Sequence, residues 1–159
     1  MSRCLQLSVA FLAAAWLVLP ATALAADVKE LKPIATAKSD SRDGRLGPFE
    51  IKRHGVAVRS AEELVMLSSE AKSAKDPKVQ KEMEAELAKL LKVDAIDWNK
   101  QMVIAVISEQ FESLTTDGKT LTATYVPYKE PPSLTVPPTP KVLVLIDRVE
   151  GEVKFVEKK

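Results

Sequence analysis

Six consecutive residues, Met102 to Ile107, read Met-Val-Ile-Ala-Val-Ile without a polar interruption. Val103, Ile104, Val106 and Ile107 are β-branched, which favours a pleated strand over a helix. A strand that is apolar at every position exposes neither face to water, so this one reads as a central strand covered on both sides, or as a strand whose second face meets a helix. Whatever the chain folds into must therefore supply a sheet and a layer packed against it. A second strongly apolar strand is read over Val142 to Ile146.

The covering layer has its own signature. "KDPKVQKEMEAELAKLLK" places Asp76 at a helix cap and Pro77 at the first helical position, where its missing amide costs nothing. Val79, Met83, Leu87, Leu90 and Leu91 then form an apolar stripe, and the interleaved lysines and glutamates form the solvated face. Upstream, "SAEEL" is a capping box: Ser60 accepts from the Glu63 amide and the Glu63 carboxylate reaches back to the Ser60 amide. Leu64, Leu67 and Ala71 share one face of a predicted helix over 61–73.

Flanking strands are read from alternation and turns. "FEIKRHGVAVRS" spaces Phe49 and Ile51, then Val56 and Val58, two apart around Gly55. "FESLTTDGKTLTATYV" predicts a hairpin turning at Asp117-Gly118, with Leu114 facing Leu121 and Thr115 facing Thr120. The threonines of "TLTAT" give its second arm a polar face. A last strand, Val153 to Val156, follows a turn near Glu150-Gly151. Six of the ten prolines fall between Val126 and Lys141, which marks that stretch as an extended loop without sheet donors. The expected class is α+β: a small, mainly antiparallel sheet with two helices inserted after the first strand.

The first 26 residues have Arg3 as their sole charge, an uncharged run from Cys4 to Leu19, Pro20, and the small triplet Ala23-Leu24-Ala25. A membrane span needs about 20 predominantly apolar residues. The shorter, proline-broken run reads as a signal peptide, residues 1–25, cleaved after Ala25. Cys4, the only cysteine, is removed with it, so the exported chain has no disulfide and depends on an apolar core. Its 134 residues carry 22 basic and 22 acidic side chains, a balance that favours neither nucleic acid nor an anionic membrane surface. Residues 26–48 are polar and broken by Pro33, Gly44, Gly47 and Pro48, and read as a flexible leader. A single domain over 49–159 follows.

Catalytic and metal-binding constellations are sparse. His54 is the only histidine, and without cysteines a zinc site would have to be gathered from distant carboxylates. Ser60 is explained by its cap rather than by His54 nearby. Glu62 with Glu63, Glu82 with Glu84 and Glu86, and Glu150 with Glu152 sit where carboxylates are usually solvated. Asp97 and Lys100 pair or cap a turn. The five glycines are scattered singly, so no phosphate-cradling loop is present. No cofactor, metal or catalytic residue is expected. The proline-rich loop is the best partner-binding stretch, because Tyr125, Tyr128, Lys129 and Leu134 stand on or beside a stiff backbone that loses little entropy on binding.

"VAVRSAEELVML", "VDAIDWNKQMVIAVIS", "DGKTLTATYVPYKEPP" and "PKVLVLIDRVEGEVKF", taken in order, resemble the PrcB-like domain family over about Val56 to Phe155. Ser60, Glu62 and Glu63 match the family's passage from strand to helix. Ile96, Asp97, Trp98 and Met102 to Val106 match its Val-Asp-Phe and central-strand signature. The family's glycine-tyrosine segment is missing, since Ser108-Glu109-Gln110 runs almost directly into "FESLTTDGKT". The resemblance implies an accessory role beside an extracytoplasmic subtilisin-like protease. The expected function is a non-enzymatic exported domain, periplasmic or extracellular, that binds an envelope or secreted protein. The alternative is a small-ligand binder or enzyme whose groups converge only in the fold.

Overall fold

The computed structural model describes residues 27–39, 45–46, 49–50, 55–68, 71–127 and 141–158. The elements in chain order are β1 (Lys29–Glu30), β2 (Ala35–Ser39), β3 (Arg45–Leu46), β4 (Phe49–Glu50) and β5 (Gly55–Val58). Then come α1 (Ala61–Met66), a 3-10 turn (Ala71–Ser73), α2 (Pro77–Leu91), β6 (Gln101–Thr116), β7 (Thr120–Pro127), β8 (Lys141–Asp147) and β9 (Glu152–Glu157). The sheet is mainly antiparallel and curls into a half-barrel, ordered β2-β8-β6-β7-β9, with β1 and β5 also paired to β6. β3 and β4 pair with each other. The β7·β9 pair is parallel.

The apolar run is the spine of this sheet. Residues 101–107 of β6 pair with β8, residues 103–106 also pair with β5, and residues 108–116 pair with β7. Its faces divide as strand geometry requires. Val103 and Ala105, with Leu143 and Leu145 of β8, join a cluster with Leu64 of α1 and Leu87 and Leu91 of α2. Met102, Ile104 and Val106, with Val142, Val144 and Ile146, join Leu114, Leu121, Ala123 and Tyr125 inside the curl. The central strand is thus buried against helices on one side and against its own curled sheet on the other.

β6 serves both halves because it bends. Its register against β7 shifts between Ser108 and Gln110 and again between Phe111 and Ser113, leaving one extra residue at each place. Two such bulges increase local twist and curl the strand. They also restore its facing, so that Leu114 is again buried, as Val106 is before them.

α2 is capped as expected: Asp76 accepts from the Lys78 amide at 2.9 Å and Pro77 opens the helix. It ends at Lys92 in the left-handed conformation, φ 57° and ψ 43°. The Trp98 indole donates to Glu84, fastening the following turn onto the helix. In that turn Asp97 both pairs with Lys100 at 3.5 Å and accepts from the Asn99 amide at 3.0 Å.

The structure corrects five expectations. First, the 26–48 stretch is not merely a leader: β2 pairs along β8 and β1 pairs with Thr115 and Thr116 at the end of β6. Ala35 and Ala37 pack in the helix-side core, and side chains this small gave the stretch too little apolarity to read as a strand. Second, the sheet consequently begins before Phe49, and the helices follow β5 rather than the first strand. Third, α1 stops at Met66 instead of running to 73, because the Ser68 hydroxyl and amide both donate to the Val65 carbonyl, at 2.8 and 2.9 Å. Fourth, Glu63 reaches back to the Arg59 amide at 2.6 Å, one residue beyond the box's usual target.

The fifth concerns the hairpin. Thr116 opposes Leu121, Thr115 opposes Thr122 and Leu114 opposes Ala123, which places the two-residue loop at Gly118-Lys119. Gly118 has φ 85°, so the glycine takes the first central position, as a type II′ turn requires. Asp117 stays on the strand side and accepts from the Lys119 and Thr120 amides, at 2.8 and 2.6 Å. The register moves by two residues, which leaves every side chain on its expected face.

Candidate functional site

Four chain segments meet at the bend of β6. Ser39 and Ile107 both register against Lys141, Gly55 against Val106, and Pro127 against Ser108. Ser39, Gly55, Pro127 and Lys141 therefore stand together at one rim of the sheet. Ser108 stabilises the bend from within. Its buried hydroxyl accepts from the Gln110 amide at 3.1 Å and lies 2.7 Å from the Gln110 carbonyl and 2.8 Å from that of Val126. One proton serves these two carbonyls, so the hydroxyl holds the bulge and the start of the rim together.

Tyr125, a partner-contact candidate by its place beside the proline-rich stretch, is 1 % exposed. Its ring fills the inner core beneath the rim, and only its hydroxyl reaches outward, donating to Glu157 Oε1 at 3.2 Å. Burial, followed by the Glu157 carboxylate, pushes its phenol up from the ordinary tyrosine range. Tyr125 is thus an anchor and not a displayed contact. Tyr128, Lys129 and Leu134 lie outside the described residues, as does His54.

A concavity lies at the end of the hairpin away from this rim. Val28, Thr115, Thr116, Asp117, Thr120, Thr122 and Lys154 line an open groove of about 220 Å³. Thr115 and Thr122 are opposite one another across β6 and β7, and Lys154 is beside Thr122 across β7 and β9. Asp117 is held well inside the carboxylate form by the Thr120 and Lys119 amides, with a smaller contribution from the Lys154 ammonium. Its Oδ1 is already spent on the turn, so the groove presents hydroxyls, one ammonium and a fixed anion. The sequence signal for it is the threonine alternation in "TLTAT", which by itself indicates only a solvated sheet face.

Two arginines join the β8–β9 link to the connections that precede α1 and follow α2. The Arg148 Nη1 donates to the Arg59 carbonyl at 3.0 Å and the Trp98 carbonyl at 2.6 Å, and its Nε pairs with Glu150 at 2.6 Å. The Arg148 guanidinium holds the Glu150 carboxyl below its usual range. Arg59 answers by donating to the carbonyls of Val149, at 3.3 Å, and Gly151, at 2.5 Å. Neither arginine was singled out in the sequence, because each acts on backbone far away along the chain. Among the described residues no three His, Cys, Asp or Glu side chains group as metal ligands, and no helix is long and apolar enough to cross a membrane.

No family model, curated protein or solved structure matches this chain.

Proposed function

We propose that this chain is an exported, non-enzymatic domain that binds another envelope or secreted protein through the segment between Pro127 and Lys141. The observation that supports the reading is the shared rim at the bend of β6, where Ser39, Gly55, Pro127 and Lys141 stand together. Residues on a proline-rich connection between two anchored strand ends lose little freedom on binding, and this favours recognition there. Tyr128, Lys129 and Leu134 make the contacts in this reading, and buried Tyr125 fixes the strand beneath them.

The remaining parts of the reading rest on the sequence. The signal peptide is cleaved after Ala25 and delivers the chain to the periplasm or medium. The architecture is α+β, with α1 and α2 as the helical layer. The PrcB-like resemblance makes an extracytoplasmic protease the first partner to try, and no nucleic acid or cofactor takes part. A second reading, a binder of small polar ligands, draws on the threonine groove.

The test is crosslinked capture from envelope and secreted fractions with the chain and with a variant carrying a short Gly/Ser linker in place of Tyr128 to Pro138. One protein recovered by the first and lost by the second is the expected result. Equal recovery by both, or recovery by neither, overturns the loop as the contact. In that case chemical-shift titration of the groove threonines with small polyols and amino acids tests the second reading.

A further inference from the structure

We infer that the outer edge of β9 pairs with the β9 of a second copy of this chain, antiparallel about a two-fold axis at Phe155. β9 ends the sheet path, and among the described residues no strand pairs with it other than β7. The Glu152 amide donates to the Lys119 carbonyl at 3.1 Å and the Lys158 amide to the Tyr125 carbonyl at 2.8 Å. Even-numbered residues therefore turn their main chain toward β7. Main-chain groups alternate sides along a strand, so Val153 and Phe155 turn theirs away from the sheet. Such a row of donors and acceptors at strand spacing is the complement of another strand.

The register follows by elimination. Hydrogen-bonded pairs must join odd-numbered residues, which leaves six two-fold positions along β9, and those at Glu152 and Glu157 set a carboxylate against its own copy. An axis at Val153 would set Phe155 against Gly151 of the other copy, whose carbonyl Arg59 already occupies at 2.5 Å. An axis at Lys154 sets that lysine against its own copy. An axis at Val156 sets Lys154 against Lys158. Like charges directly opposite destabilise a strand pair.

Only the axis at Phe155 avoids these conflicts. It sets Glu152 against Lys158 twice over, once on each side of the axis, and Lys154 against Val156. The Glu152 and Lys158 side chains are 69 % and 55 % exposed, and their contacts within the chain, Glu152 with Lys154 at 3.9 Å and Lys158 with Glu112 at 2.9 Å, are surface pairs that exchange for the crossing ones. Val156, an exposed large apolar residue, is covered by the lysine stem of the other copy. The charges on this edge, which would ordinarily protect it from pairing, thus permit pairing in one register and oppose the others.

The experiment is sedimentation velocity over a range of concentrations on the purified chain, on Glu152→Lys and on Lys158→Glu, each checked for fold by circular dichroism. The expected result is a wild-type dimer whose dissociation constant rises about tenfold or more in each variant alone. Mixing the two variants restores it, because every 152–158 pair across that interface is again of opposite charge. Amide exchange at Val153 and Phe155 slows with concentration in the wild type. A wild type that stays monomeric overturns the inference. So does a dimer that is indifferent to both substitutions, or one that mixing fails to restore.

Discussion

Two glycines owe their identity to what lies against them rather than to turn geometry. A Cβ on Gly55 would run into the Phe155 ring, and one on Gly151 would run into the Lys119 backbone carbonyl. Phe155 of β9 thereby lies over β5, and Gly151 lets the β8–β9 link pass close enough for the Glu152 amide to reach Lys119. Gly55→Ala is expected to cost about 1–3 kcal/mol, the usual range for overpacking a filled site. In a Phe155→Ala background the same substitution should cost close to nothing, because the obstruction is the ring. Urea denaturation of the four variants in this cycle measures the coupling, and an additive result would remove the ring from the explanation. Neither contact was legible beforehand, since Gly55 and Phe155 are a hundred residues apart and a lone glycine in a strand pattern signals only some close approach.

Among the elements, β6 was readable and its turn was not. The uninterrupted run Met102 to Ile107 demanded cover on both faces, and the two core clusters supply it. The α2 cap and stripe were equally plain, because local sequence sets both. The hairpin turn depended on whether glycine would take the first or second central position, and both placements keep the same faces buried. The Asp117 side chain decides between them by holding the Lys119 and Thr120 amides. Those amides favour its charged form, so its carboxyl titrates below the ordinary value of 3.8. A depressed carboxyl contributes stability that is present above its unfolded value and is lost as pH falls through the folded one. Asp117→Ala should therefore lower the melting temperature at neutral pH, and the gap to wild type should narrow once pH drops below 3.8. Thermal melts across that interval check the sign; a gap that stays constant into acid would mean the carboxylate contributes nothing to the turn.

At the scale of the whole molecule, the sheet takes in strands ahead of the Phe49 boundary that periodicity suggests. Periodicity finds strands that bury large side chains, and β2 buries Ala37 and, in part, Ala35. Its contribution is instead its position, because it covers the β8 edge over Lys141 to Leu145 and touches α2 above. Without it, β8 would expose a row of main-chain donors and acceptors beside Leu143 and Leu145, an apolar edge of the kind that aggregates. β1 has a parallel part at the far end of β6, where Val28 borders the threonine groove. A chain that starts at Asp27 should therefore melt cooperatively and stay soluble. One that starts at Phe49, although it keeps both helices and β5 to β9, should melt lower or aggregate on concentration. Differential scanning calorimetry with light scattering compares the two directly. Equal melting temperatures and equal solubility would mean that the 27–48 stretch adds nothing to the fold, and that the domain begins at Phe49 after all.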